Sequence, residues 1–211
     1  MRRIIDANRA CRAALRKQRR PLCFRHLDLA PSHAMTPPLL RPAIAADLPA
    51  ITAIYAHHVQ TGLASFETDA PTLAEMTQRY TAITGAGYPY LVAVQEGAVL
   101  GYAYANYYRT RPAYRFTVED SIYVAPETVG RGIGRALLAR LVADCEQRGH
   151  RQMLAVIGDS ANTASIALHR ACGFTLKCTL DAVGFKFGRW VDSVIMQRTL
   201  GDGQRSLPDA P

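Results

Sequence analysis

Long apolar runs are missing from this 211-residue sequence. No stretch of eighteen apolar residues occurs, so no segment reads as a membrane-spanning helix. Cysteine is scarce and unpatterned: Cys11, Cys23, Cys145, Cys172 and Cys178 are odd in number, scattered and without a CxxC pair. That argues against a disulfide framework and predicts a reduced, cytoplasmic setting. Cys23 and His26 lack a second pair of ligands, so no metal site is predicted. The basic amino terminus lacks the apolar stretch of a secretory signal. Strong charge is missing from the body of the chain as well. Residues 1–34 hold nine Arg and Lys against two acids, whereas the rest hold sixteen against fifteen. A nucleic-acid-binding protein carries its charge on its fold, or on a tail kept for that purpose. The near-neutral body therefore argues against a nucleic-acid partner.

What is present is enough for one domain with decoration, since 49% of residues are hydrophobic. Residues 1–38 read as a basic leader, broken by prolines after "MRRIIDANRACRAALRKQRR", with Met35 as an alternative start. Residues 39–200 read as the folded domain and 201–211 as a tail. "LLRPAI" predicts a strand, and "LPAITAIYAHHVQTG" a helix N-capped by Asp47. "ASFET" predicts a short extended piece, and "PTLAEMTQRYTAIT" a helix with a Thr72–Glu75 capping box. Around Glu96-Gly97, "YPYLVAVQEGAVLGYAYANYY" reads as a hairpin whose second strand has one bulky and one small face. "HRQMLAVIG" continues as a strand, "NTASIALHRAC" as a helix ended by Gly173, and a terminal strand pair follows. The expected class is α/β (α+β), with helices flanking a mixed, partly antiparallel sheet.

The stretch "TVEDSIYVAPETVGRGIGRALL" carries the chemistry. A short β-branched strand at Ser121–Val124 runs into Gly130, Gly132 and Gly134, and then into an amphipathic helix. A glycine turn at a helix N-terminus offers free backbone N–H groups and a positive dipole end, which together suit an anion. Two nucleotide-binding patterns fail on spacing. G-x-G-x-x-G is broken by Arg135, and no Gly-Lys-Ser/Thr is present.

The frame Val129-Gly130-Arg131-Gly132-Ile133-Gly134 resembles the acetyl-CoA pyrophosphate loop of the GNAT superfamily, Gln/Arg-x-x-Gly-x-Gly/Ala. Val129 departs from that pattern at its first position, and Arg131 and Arg135 supply charge nearby. "NTASIALHRACGF" resembles the superfamily segment along the pantetheine arm. "YRTRPAY" and "GFKFGRW", with their flanks over residues 39–200, resemble the phosphinothricin and methionine sulfoximine N-acetyltransferase family.

The resemblance implies acetyl-CoA as co-substrate, no metal, a homodimer and a small amino-acid-like amine as acceptor. It assigns Gly130, Arg131, Gly132, Ile133, Gly134 and Arg135 to the pyrophosphate. Ile122, Tyr123 and Val124 would follow the pantetheine arm with their backbone, and Asn162 and Ser165 would lie beside it. Glu119 is the implied base, preferred over Asp120 because adjacent strand residues point to opposite faces. His169 stands where relatives carry a tyrosine that protonates the departing thiolate. Phe66, Arg109, Arg111 and Tyr114 are the candidates for holding the acceptor, the guanidinium groups being suited to a carboxylate or phosphinate. Cys145 and Cys172 read as core, Lys186 and Trp190 as braces, and His57 and His58 as ordinary helix residues. Two further readings stay open: a different amine acceptor (a polyamine, an aminoglycoside or a protein N-terminus), and a non-catalytic CoA-binding or nucleic-acid-associated module.

Overall fold

The computed structural model describes residues 37–208. The expectations for Cys11, Cys23, His26, Met35 and most of the leader lie outside these residues. Strand β1 is Leu39–Pro42, and helices α1 (Leu48–Thr61) and α2 (Leu73–Gly85) follow it. Next come strands β2 (Tyr90–Gln95), β3 (Ala98–Tyr107) and β4 (Thr117–Val124). Helix α3 (Ile133–Gln147), strand β5 (Gln152–Gly158) and helix α4 (Thr163–Ala171) continue the chain. Strands β6 (Thr175–Lys186) and β7 (Arg189–Thr199) close it. The strands form one sheet in the order β1-β2-β3-β4-β5-β7-β6. Every neighbouring pair is antiparallel except β4–β5, which α3 connects as a parallel crossover.

Local signals explain most boundaries. Glu96 and Gly97 form the β2–β3 turn with φ of 51° and 82°, the left-handed geometry a two-residue hairpin needs. Glu75 N–H donates to Thr72 Oγ1 (3.2 Å) and Thr72 N–H to Glu75 Oε2 (2.6 Å), so the capping box forms. Asn162 caps α4 by accepting from Ser165 N–H (3.2 Å), and Gly173 at φ 84° ends it. Asp47 departs from expectation. It precedes α1 but makes no side-chain cap. Its carboxylate instead accepts from Arg41 (2.7 and 2.8 Å) and from Ile44 N–H (2.8 Å), because a guanidinium outcompetes a neutral amide. "ASFET" is an irregular loop, not an extended strand. Residues 201–205 turn, and Arg151 donates to Ser206 Oγ (3.1 Å).

The two faces of β3 sort the core. Ala103 and Ala105 lie against Leu137, Leu138 and Leu141 of α3, all fully buried. Small side chains on the sheet let that helix approach closely, and each buried leucine stabilises by about 1.5–3 kcal/mol. Tyr102 packs on the other face with Ile51, Val59 and Met76 of α1 and α2, and Tyr90 and Tyr104 stack beside it at 4.9 Å. Helices thus clamp the middle of the sheet and fix the place where β4 and β5 part.

Candidate active site

The β4–β5 ladder stops early. It joins Thr117–Asp120 to Gln152–Ala155, yet β4 runs on to Val124 and β5 to Gly158. Beyond Asp120 and Ala155 the strands have no ladder with one another, and their facing backbone groups need other partners. A groove of 730 Å³ occupies this gap. Ile122, Tyr123 and Val124 line it from β4, Gly158 from β5, and Asn162 and Ser165 from the start of α4. His58 reaches it from α1, where its Nε2 donates to the Val124 carbonyl (2.9 Å). Burial lowers the pKa of His58, which suits this neutral donor tautomer. In the sequence His58 has the character of an ordinary helix residue; only the fold brings it to β4.

At its far end the groove meets the glycine turn. Gly130 and Gly132 have φ of 82° and 78°, so both need the left-handed region that glycine adopts freely. Gly132 caps α3, so the N–H groups of Ile133, Gly134 and Arg135 have no acceptor within the helix. Gly134 serves packing: a Cβ there would come within 3.3 Å of Leu168 Cδ2 and 3.5 Å of Val124 Cγ2. Arg131 turns to Gln95 Oε1 (2.6 Å), while Arg135 remains on the groove wall.

A second cavity, of 510 Å³, continues from the groove and shares Ile122, Tyr123, Asn162 and Ser165 with it. Glu119 and Asp120 both line this cavity although they point to opposite faces, because it passes through the opening between the strands. Glu119 is half-buried. Burial and then the nearby Asp120 charge raise its pKa, and Arg109 opposes them. Asp120 is buried, and its Oδ2 lies 3.0 Å from His169 Nε2. Sequence reasoning ranked Asp120 below Glu119 and missed this pairing. The signal was two adjacent acids in an apolar strand, which puts one of them on a core face where it requires a partner.

The acceptor side of the cavity is built on the loop after α1. Tyr55 donates to Glu67 Oε1 (2.8 Å) and meets Ser65 Oγ at 2.9 Å. Burial pushes the Tyr55 hydroxyl up to about 12, which keeps it a donor. Arg79 grips both Glu67 oxygens (2.6 and 3.2 Å). From the other side the buried Lys186 donates to the Ser65 carbonyl (2.8 Å), a brace as expected. Phe66 lines the cavity with its ring over Gly184, where a Cβ would meet the ring at 2.9 Å. Arg109, Arg111 and Tyr114 are exposed on the β3–β4 connection and do not line this cavity, although Arg109 acts electrostatically on Glu119. Cys145 and Cys172 are buried, and burial raises both thiols, as core residues should behave. Trp190 is exposed and meets Phe185 edge-on.

A model described as the Acetyltransferase (GNAT) family matches residues 51–174, which contain both the splayed strand β4 and the glycine turn. The chain belongs to the GNAT acetyltransferase family. Among its relatives is the phosphinothricin N-acetyltransferase of Alcaligenes faecalis, 58% identical over 77% of this chain and 83% of that protein. The L-methionine sulfoximine/L-methionine sulfone acetyltransferase of Salmonella typhimurium is 40% identical over 81% of this chain and 98% of its own length. The crystal structure of a GNAT superfamily phosphinothricin acetyltransferase from Sinorhizobium meliloti in complex with AcCoA superimposes with a TM-score of 0.80. It is 55% identical, covering 82% of this chain and 94% of that one. The site fits the GNAT co-substrate on its own geometry. The unladdered part of β4 can pair with an extended amide-bearing arm, and the α3 N-terminus ends the groove where a phosphate group would lie.

Proposed function

We propose that this chain is an acetyl-CoA-dependent N-acetyltransferase whose acceptor is the α-amine of a small amino acid or a toxic analogue of it. Phosphinothricin and methionine sulfoximine or sulfone define the acceptor type, as in the names of its relatives. The observation that carries the reading is the through-going opening between β4 and β5. It links the glycine turn to a second cavity whose walls hold Glu119 on one side and His169 on the other. Bound acetyl-CoA supplies an activated acetyl thioester.

The residues of this chain do the rest. Backbone N–H groups of Gly130, Gly132, Ile133, Gly134 and Arg135 hold the pyrophosphate, while the Arg131 N–H is kept by the Thr128 carbonyl (3.3 Å). The edge of Ile122, Tyr123 and Val124 aligns the pantetheine arm beside Asn162 and Ser165. The Val124 N–H is the candidate donor to the thioester carbonyl oxygen. Glu119 takes the proton of the acceptor ammonium, a task helped by its raised pKa. His169 is the proton source for the departing sulfur. Phe66 covers the acceptor, and Arg109 and Arg111, with Tyr114, provide an anion-attracting entrance.

The proposal extends to setting and assembly. Among the described residues the cysteines are free and no helix is long and apolar enough to cross a membrane; with these goes a cytoplasmic enzyme. Exposed Leu180, Val183, Phe185, Phe187 and Trp190 on the β6–β7 hairpin support a homodimer. The deciding experiment is thiol release from acetyl-CoA in the presence of phosphinothricin, methionine sulfoximine, methionine sulfone and ordinary amino acids. Turnover with one of these supports the reading. Turnover with polyamines or aminoglycosides alone reassigns the acceptor.

A further inference from the structure

His169 presents no spare nitrogen to the cavity. Its Nδ1 lies 2.8 Å from the Ser165 carbonyl oxygen, and its Nε2 lies 3.0 Å from Asp120 Oδ2. A carbonyl and an ionised carboxylate only accept, so the surrounding acceptors assign a hydrogen to both ring nitrogens. The ring is then an imidazolium. It is 2% exposed and Asp120 6%, which leaves each as the other's counter-ion. Burial opposes the charge on His169, but the hydrogen bond and charge of Asp120, with the Ser165 carbonyl, outweigh burial and raise its pKa above 6.5. The surrounding elements bring further titratable groups: Glu119 on β4, Cys145 on α3, and Cys172 at the end of α4. Both thiols are raised by burial and stay neutral, and Arg135 and Arg198 act on Cys172.

A buried cation with both hydrogens engaged needs an intermediary to reach a ligand. The Ser165 hydroxyl lies 3.4 Å from His169 Nδ1, and Ser165 borders both the groove and the second cavity. Ser165 Oγ therefore adjoins the imidazolium on one side, and its residue forms the wall where groove and cavity join.

We infer that Asp120, His169 and Ser165 form a proton relay whose terminal donor is the Ser165 hydroxyl. Asp120 is its positioning residue, holding the ring charged and fixed. The inference rests on the proposed acetyl transfer. As the C–S bond breaks and its electron pair stays on sulfur, Ser165 O–H gives its proton to that sulfur. In the same step His169 Nδ1–H passes its proton to the Ser165 oxygen, so that no serine alkoxide is formed. His169 is left neutral and regains a proton from solvent before the next turnover.

Two measurements test the relay. Nitrogen chemical shifts of the histidine rings are followed against pH without ligand, the His169 signals being identified by their loss in H169Q. In the wild-type protein both His169 nitrogens are protonated at neutral pH. D120N lowers the titration midpoint of His169, and S165A, which keeps the backbone carbonyl, leaves it unmoved. In turnover, S165A lowers kcat on the order of 10²-fold with little change in the acetyl-CoA KM, and S165T restores much of the rate. D120N moves the alkaline fall of kcat to lower pH. Thermal melting identifies any variant that fails to fold, and the S165A and S165T pair decides the relay without D120N. An unmoved His169 midpoint in D120N refutes the positioning role. A wild-type kcat in S165A, with the parent enzyme active, refutes the relay alone. A parent protein that transfers acetyl to no amine refutes both the relay and the acetyltransferase reading.

Discussion

Glu119→Gln separates proton transfer from binding. Gln keeps the size of the side chain and a hydrogen-bond acceptor but cannot take a proton. Loss of a general base costs on the order of 10²–10⁴-fold, and the structure favours the lower end. Glu119 is only half-buried in a cavity that also contains Glu67, so a water-borne route to a second carboxylate remains. A loss of about 10²-fold corresponds to about 2.7 kcal/mol of barrier. The pH profile carries the stronger test. Glu119 must be ionised to act, and burial and Asp120 raise its pKa, so the wild-type kcat/KM falls on acidification from a pH above the ordinary carboxylate range. In E119Q that limb disappears, and the rate follows ionisation of the acceptor amine, rising about tenfold per pH unit.

Stability should move the other way. A raised pKa in the folded state means that ionised Glu119 costs stability above its unfolded pKa, and that the cost vanishes once both states are protonated. E119Q should therefore melt at or above the wild-type temperature at neutral pH, with the gap closing below pH 4.5. Steady-state kinetics from pH 5 to 9, with melting curves at both ends, read both effects. A wild-type rate with an unchanged acid limb would refute Glu119 as the base.

The other predictions concern the walls of the site and the core. Gly132→Val forces a β-branched residue to φ 78° at the cap of α3, a strain of roughly 1–3 kcal/mol; the acetyl-CoA KM should rise at least tenfold with the acceptor KM little changed. Gly184→Ala puts a methyl 2.9 Å from the Phe66 ring and should raise the acceptor KM while sparing that of acetyl-CoA, read from initial rates with each substrate varied. Leu141→Ala, at a fully buried position of α3 against β3, should cost about 2–5 kcal/mol in denaturant unfolding.

Much of this molecule was legible in its sequence because the signals are local. A capping box, a Glu-Gly hairpin and a glycine turn before an amphipathic helix each depend on a few neighbouring residues, and Thr72, Gly97 and Gly132 behave as those rules require. The alternation of Tyr102 and Tyr104 with Ala103 and Ala105 also announced which face of β3 a helix could approach closely. Asp47 shows where a local rule yields, since the Arg41 guanidinium on β1 captured the carboxylate expected to cap α1.

What only the tertiary structure decided are the meetings between distant segments. Asp120 and His169 stand 49 residues apart and pair only because α4 packs across the end of the β4–β5 ladder. Lys186 lies 121 residues from Ser65 and still braces its carbonyl, and His58 reaches Val124 only when α1 lies over β4. The exposed positions of Arg109, Arg111 and Tyr114 were likewise invisible to motif spacing. Sequence by itself determined most of the elements and the left-handed glycine turn before α3, because those follow from propensities and backbone freedom at single positions. The parting of two parallel strands, and the partners of charges buried beside it, depend on how the whole sheet twists and packs, and no short window of residues contains that information.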